Sequence, residues 1–446
     1  MHTDLAPHLL PDVHTRRRAR LAEAMRAEGG GVAILPNART HVRNGDTEYA
    51  YRFDSHFQYI SGFREPDSIV VVVAGADEGE RLDILFCRDK NPEMETWEGF
   101  RHGPEAAREQ FGYHAAHSIE RFDEILPDLL SDQRTVFMAL GADKDFDARI
   151  LRGIEEVRGR ARKGVSAPVS LHDVRPALDG MRLVKDEHEI ALMQRAADIS
   201  AAAHARAMRA TRPGLFEYQI EAELLHAFLH AGSGSPAYPS IVAGGANACT
   251  LHYMENRSRL AAGDLLLIDA GCEFEGYASD ITRTFPVDGR FSGPQRAAYE
   301  VVLAAQLAAI EAMRPGQPFT AAHDAAVRVL TAGMVDLGLL VGEVDGLIES
   351  GAFRRFYMHS TGHWLGLDVH DVGAYRIAGA SRPLQAGNVA TVEPGLYIRP
   401  AEDVPEAFWN IGIRIEDDVL ITEDGNRVLS AAAPKTVAEI EALMHG

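Results

Sequence analysis

The segment Leu265–Val287, LLLIDAGCEFEGYASDITRTFPV, constrains this chain more than any other stretch, because two aspartates interrupt otherwise apolar, β-branched text. Each half reads as a strand, and the halves meet at Cys272-Glu273-Phe274-Glu275-Gly276, a turn-like stretch ending in glycine. A two-residue turn centred between Phe274 and Glu275 pairs Glu273 with Gly276 and, further down the hairpin, sets Asp269 opposite Asp280. Directly opposed residues hold their Cβ atoms roughly 4.5–5.5 Å apart, and like charges there repel. Such a hairpin requires something cationic between the two carboxylates.

At 446 residues the chain is long enough for two or three domains, and 46% hydrophobic with 25% charged residues suits a soluble globular protein. The three cysteines, Cys87, Cys249 and Cys272, are scattered and odd in number, which fits a reducing compartment and a cytoplasmic location. In the opening residues the arginines follow the weakly apolar segment, the reverse of a secretory signal. Apolar runs such as Ile69–Ala74 fall far short of the ~20 residues a membrane-spanning helix needs, so no membrane association is expected. A formal charge of −20 disfavours nucleic acid as a partner.

The text from residue 14 to 28 is helix-forming and stops at Gly29-Gly30-Gly31; Val32–Leu35, Phe57–Phe63, Ser68–Ala74 and Leu82–Cys87 read as strands, with the polar AGADEGER between the last two. Residues 1–176 are therefore expected to form a smaller α/β domain, with the boundary near the end of the basic, irregular stretch Arg158–Pro176. Neither a GxGxxG nor a P-loop pattern occurs in it. Residues 177–446 then offer helices at Asp186–Thr211, Phe216–His230, Pro294–Met313 and Thr320–Leu337. Strand-like runs lie between and after them, giving an α+β domain with largely antiparallel strands.

Carboxylates and histidines collect at Asp269 and Asp280, in His359-Ser-Thr-Gly-His363 with His370, at Glu393 in TVEPG, and at Glu416 in GIRIEDD. Asp269 has apolar neighbours on both faces, and a buried carboxylate must be paired or bind a metal. Four carboxylates with one imidazole would carry about −4, which two divalent cations cancel; oxygen-rich ligation favours Mn²⁺, with Co²⁺, Fe²⁺ or Zn²⁺ also suited. The pair His359/His363 is not an HExxH zinc helix, since Ser-Thr-Gly supplies no glutamate.

The order Asp269, Asp280, His363, Glu393, Glu416 resembles the dinuclear metallopeptidases of the creatinase, or pita-bread, family. HSTGHWLGLDVHD is similar to that family's proline-peptidase signature. HYMEN around His252, GYASDITRTFPV, TVEPGLYI, GIRIEDD and the N-terminal DTEYAYRFDSHFQYISGFREPDS resemble its aminopeptidase P branch. The resemblance implies a pita-bread catalytic domain behind a creatinase-like N-terminal domain, and hydrolysis of the first bond of peptides with proline second. It implies that Asp269 chelates one metal, Asp280 and Glu416 bridge two, and His363 with Glu393 hold the other, with a hydroxide between the ions. It also implies Glu393 as general base, His370 and His252 at the substrate carbonyl or oxyanion, His359 lining the proline pocket, and Arg414 orienting Glu416 from the same strand face. Relatives assemble as dimers or tetramers, and Trp97 in METWEGFRHG matches a loop that reaches a neighbouring subunit's site. Ser360, Thr361 and Ser279 depart from the family pattern without touching a ligand. Prolidase, which cleaves only dipeptides, is the nearest alternative, and a metal-free binding module on the same fold is a remote one.

Overall fold

The computed structural model describes residues 11–76 and 81–445. The opening residues read against an export signal, and part of the AGADEGER loop, lie outside the described residues. The chain divides into two compact units, Met1–Met181 and Arg182–Gly446.

The first unit is built on a six-stranded sheet in the order Ala115–Ser118, Arg81–Cys87, Ile69–Ala74, Gly31–Pro36, Thr135–Met138, Ser170–Asp173. Its inner strands are covered on both faces and so read as nearly continuous apolar runs, IVVVVA and GVAILP. One expectation fails here. The run Phe57–Phe63 is not a strand but lies mostly in the helix Ser55–Ser61. The Asp54 side chain accepts the Phe57 amide at 2.8 Å, and Gly62 ends the helix in the left-handed region at φ 69°. These two caps outweigh the β propensity of the aromatic residues between them.

In the second unit the long helix Glu187–Ala210 starts at a capping box made by Asp186 and Glu189, and Gly293–Ala312 at one made by Ser292 and Gln295. With Glu217–His230 and Ala321–Asp336 they press Ala196, Leu224, Val302 and Leu330 against Leu266, Ile268, Phe285 and Ile413 of the strands, forming one apolar core. Two broken hairpins lie against it. The first runs Leu265–Asp269, Cys272–Phe274, and returns as Tyr277–Ala278 and Thr282–Pro286; the second runs Val389–Val392, Gly395–Ile398, and returns as Ile411–Arg414 and Asp417–Ile421. In both, the half-strands on either side of the break belong to different sheets, and all the pairing is antiparallel.

The first hairpin turns one residue later than expected. Glu275 and Gly276 occupy the turn with φ of 54° and 89°, so Phe274 pairs with Tyr277 and Asp269 faces Thr282, not Asp280. A two-residue turn of this hand needs positive φ at both positions, which Glu-Gly meets at lower cost than Phe-Glu. Moving the turn by one residue changes each partner by two, so every side chain keeps its face. Asp269 and Asp280 thus become diagonal neighbours.

Candidate metal centre

All four carboxylates sit where a strand is interrupted: Asp269 at the end of its half-strand, Asp280 between Ala278 and Thr282, Glu393 between Val392 and Gly395, and Glu416 between Arg414 and Asp417. A residue at such a break is released from the sheet ladder and can turn its side chain inward, provided its amide finds another partner. The Glu393 amide donates to Thr361 O at 2.7 Å, the Glu416 amide to Thr282 O at 3.0 Å, and the Asp280 amide to both Asp418 carboxylate oxygens at 3.2 Å. The loop bearing His363 is stitched to the second hairpin through Thr391, whose amide donates to His363 O and whose hydroxyl accepts the His363 amide. Gly362 has no room for a side chain there, since a Cβ would lie 2.0 Å from Thr391 O.

Asp280, His363 and Glu416 bring one ligand atom each to within 4.8 Å of one another. His363 Nε2 lies 3.4 Å from Asp280 Oδ2 and 3.7 Å from Glu393 Oε1, while its Nδ1 is 3.0 Å from Trp364 O. The backbone carbonyl fixes the proton on Nδ1 and leaves Nε2 facing the carboxylates. Tyr238 donates its hydroxyl to Asp269 Oδ1 (2.6 Å) and Asp280 Oδ1 (2.5 Å), so the two aspartates meet through it.

The electrostatics are those of too much negative charge in too little water. Burial, reinforced by Asp280, Glu393 and Asp269, pushes the Glu416 carboxyl far above its usual range. Burial also raises Asp280, against His363 and with Asp269. Burial lifts Glu393 to about 7 although His363 and Arg414 oppose it. His363 is disfavoured as a cation by burial, yet the hydrogen bond and charge of Asp280 and the charge of Glu393 prevail and raise it to about 9. Protons and Arg414 partly compensate the cluster; divalent cations would do so fully, and this donor set of carboxylates with one imidazole suits them.

A cavity of about 710 Å³ opens onto the cluster and is lined also by His252, His359, His370 and Phe319. The His370 ring stands edge-on to His363, with centroids 4.3 Å apart. His359 Nε2 is 2.9 Å from the Tyr397 hydroxyl, and burial together with Arg414 lowers its pKa to about 4, so it is neutral at working pH. His252 is exposed on the cavity wall, and no hydrogen bond holds its ring among the described residues.

Arg414 meets Asp269 directly and Glu416 through Thr282. It donates to Asp269 Oδ2 at 2.5 Å and to the Tyr397 hydroxyl at 3.1 Å, whereas Glu416 is held by the Thr282 hydroxyl at 2.6 Å. The strand breaks between them at Ile415, yet both side chains line the same cavity, and Arg414 Nε donates at 3.2 Å to the Thr282 hydroxyl that holds Glu416. Tyr238, Thr282 and Asp418 were missed in the sequence. Tyr238 precedes the strand Ile241–Gly244, whose Ile241 pairs with Asp269, and only that pairing marks it.

A buried cluster of this composition between two broken hairpins defines a metallopeptidase of the pita-bread class. The model described as Metallopeptidase family M24 matches residues 191–423, and the one described as Aminopeptidase P, N-terminal domain, matches residues 14–137. The chain is 48% identical to an Xaa-Pro aminopeptidase of Haemophilus influenzae over 90% of each chain, and 44% identical to that of Escherichia coli over 96% of each. Its structure resembles aminopeptidase PepP of Pseudomonas aeruginosa, with a TM-score of 0.93 and 50% identity over 96% of this chain and 98% of that one. Zinc-substituted E. coli aminopeptidase P in complex with product gives 0.94 and 44% identity over 98% of each. The chain belongs to the Xaa-Pro aminopeptidases of metallopeptidase family M24.

Proposed function

We propose that this chain removes the N-terminal residue from peptides with proline in second position, using two divalent metal ions, Mn²⁺ first among them. The observation that carries this reading is the buried cluster of Asp269, Asp280, His363, Glu393 and Glu416 at the floor of a cavity, in a chain whose relatives carry that activity in their names.

Asp269 would hold one ion, Asp280 and Glu416 both, and His363 with Glu393 the other. When bound, two ions supply polarisation of the scissile carbonyl and acidify a water beside it. The residues do the rest. Glu393, with a carboxyl at about 7 in the metal-free protein, takes the proton of the attacking water and returns it to the leaving proline nitrogen. His370 and His252 donate to the substrate carbonyl as it gains negative charge. His359, neutral and flanked by Tyr357 and Tyr397, offers an apolar ring to the proline. Arg414 orients Asp269, and Tyr238 keeps the two aspartates in register.

We divide the chain into an N-terminal domain, 1–176, and a catalytic domain, 177–446, which the two family models support. Cytoplasmic residence is supported by three buried cysteines, none in a disulfide, and no described helix is long and apolar enough to cross a membrane. Assembly as a homo-oligomer is supported by Trp97, 81% exposed, with Phe100 nearby at 67%.

The test is a rate series from Ala-Pro to Ala-Pro-Ala-Ala, with metal analysis of the same preparation. Hydrolysis of the tripeptide and longer peptides, lost on chelation and restored by Mn²⁺, is expected. Activity indifferent to exhaustive chelation would sink the metal assignment, and a preference for the dipeptide by orders of magnitude would sink the substrate assignment.

A further inference from the structure

His252 presents a problem of precision. It sits in the irregular segment between Thr250 and Arg259, it is exposed, and its ring has no hydrogen bond among the described residues. A side chain that must meet a substrate carbonyl to within a few tenths of an ångström is here located by its backbone alone. What fixes that backbone lies behind the cavity wall.

Glu217, the first residue of the helix Glu217–His230, is fully buried. Its carboxylate accepts four hydrogen bonds and, among the described residues, faces no cation in an ion pair. Oε1 receives the Gly244 amide at 2.8 Å and the Asn247 side chain at 2.9 Å; Oε2 receives the Tyr253 hydroxyl at 2.8 Å and the Ser258 amide at 2.7 Å. Gly244 and Asn247 stand before His252 in the chain, Tyr253 and Ser258 after it. One carboxylate therefore closes the segment from both sides, and Tyr253, adjacent to His252, is one of its ligands. A burial this complete is tolerable for the carboxylate because all four lone-pair directions are used and the helix N-terminus is positive. Asn256 adds a second clasp: its side chain accepts the Val242 amide and donates to Ser240 O, holding the segment to the strand that pairs with Leu265–Asp269.

We infer that Glu217 is a positioning residue for the reaction: its carboxylate clamps the segment 244–258 so that His252 is held in the wall of the cavity that the carboxylate cluster lines. The inference rests on the proposed role of His252 at the substrate carbonyl. Glutamine in place of Glu217 keeps size and shape but turns an NH₂ toward two donors. The Tyr253 hydroxyl can reverse its bond; a backbone amide cannot. The segment shifts, and His252 moves with it.

The experiment is a double-mutant cycle with Glu217→Gln and His252→Ala, read on a Xaa-Pro tripeptide with metal content and melting temperature measured for each variant. Each single variant is expected to lose roughly ten- to a hundred-fold in kcat/KM, since misplacing a catalytic group by about 1 Å costs up to about a hundred-fold. The double variant is expected to match His252→Ala alone, because a clamp with nothing to hold has nothing left to lose. Tyr253→Phe, which removes one donor and spares the carboxylate, is expected to show a smaller loss that likewise vanishes in the His252→Ala background. It carries the test if Glu217→Gln does not fold. If His252→Ala is costly but the two losses multiply, the clamp is refuted and the role of His252 stands. If His252→Ala costs nothing, the role of His252 falls and the clamp falls with it.

Discussion

Asp269 is the residue whose charge matters most sharply, since it accepts from both Tyr238 and Arg414 and closes one end of the carboxylate cluster. Replacing it by asparagine removes charge while keeping shape. Asp269→Asn is expected to lower kcat/KM by at least about a hundred-fold and to reduce bound metal; because it leaves buried Arg414 facing a neutral group, a fall in melting temperature accompanies the loss. Retained full activity would refute its role. The cluster also sets a pH dependence for the metal-free chain. Glu393 at about 7 and His363 at about 9 hold their protons more tightly in the folded state than unfolded. Such protons stabilise the fold below the unfolded pKa values and are lost as pH rises through the folded ones. His204 and His359, both lowered by burial to about 4, act in the opposite sense below pH 7, so melting temperature without metal should fall from pH 7 to pH 9. A divalent ion should offset that fall, because its ligands bind it deprotonated; a flat metal-free profile would contradict this. Asp269, Asp280, His363, Glu393 and Glu416 stood out in the sequence through their resemblance to a family pattern, and the structure brings ligand atoms of Asp280, His363 and Glu416 to within 4.8 Å of one another. Tyr238, Thr282 and Asp418 were not, because each earns its place through a partner far away in the chain.

At the scale of elements, the two long helices Glu187–Ala210 and Gly293–Ala312 announced themselves. Asp186 with Glu189, Ser292 with Gln295, and a Pro-Gly after each C-terminus bracket them locally. The strand breaks left no such mark, for their amides are satisfied by Thr361, Thr282 and Asp418, all remote in sequence. The hairpin register was misplaced for a similar reason: the turn is decided by which pair of residues tolerates positive φ, not by where the apolar runs stop. The bend between the half-strands depends on Gly271, where a Cβ would lie 1.7 Å from Ser279 O. Gly271→Ala must open the hairpin beside Asp280. It is expected to cost about 1–3 kcal/mol or more and to reduce metal content in proportion; an unchanged melting temperature would show that the bend can yield.

For the catalytic unit as a whole, the two hairpins are joined behind the site by Asp417, which is fully buried. Its carboxylate takes Arg283 at 2.7 Å from the first hairpin, Gln306 at 2.7 Å from the helix Gly293–Ala312, and Ser430 and Lys435 at 2.7 and 2.6 Å from the segment beyond the second. Against burial, Arg283 and Lys435 hold it at about 2. Asp417→Asn would leave two cations facing a neutral group, and a loss of about 3–5 kcal/mol in unfolding free energy is expected by denaturant titration. Strand alternation alone could not mark Asp417, because its charge is neutralised by Arg283 and Lys435 from two other parts of the chain.

Because each hairpin would contribute only part of the proposed ligand set, neither would retain the ions by itself. A partial opening that parts the two hairpins would break that set at once, and its free energy would depend on Asp417 and its partners as well as on the ligands. Metal exchange in this enzyme should accordingly be slow and governed by a gate, with a rate that climbs in mild denaturant well before the fold is lost, and that accelerates in Asp417→Asn even though every ligand is intact.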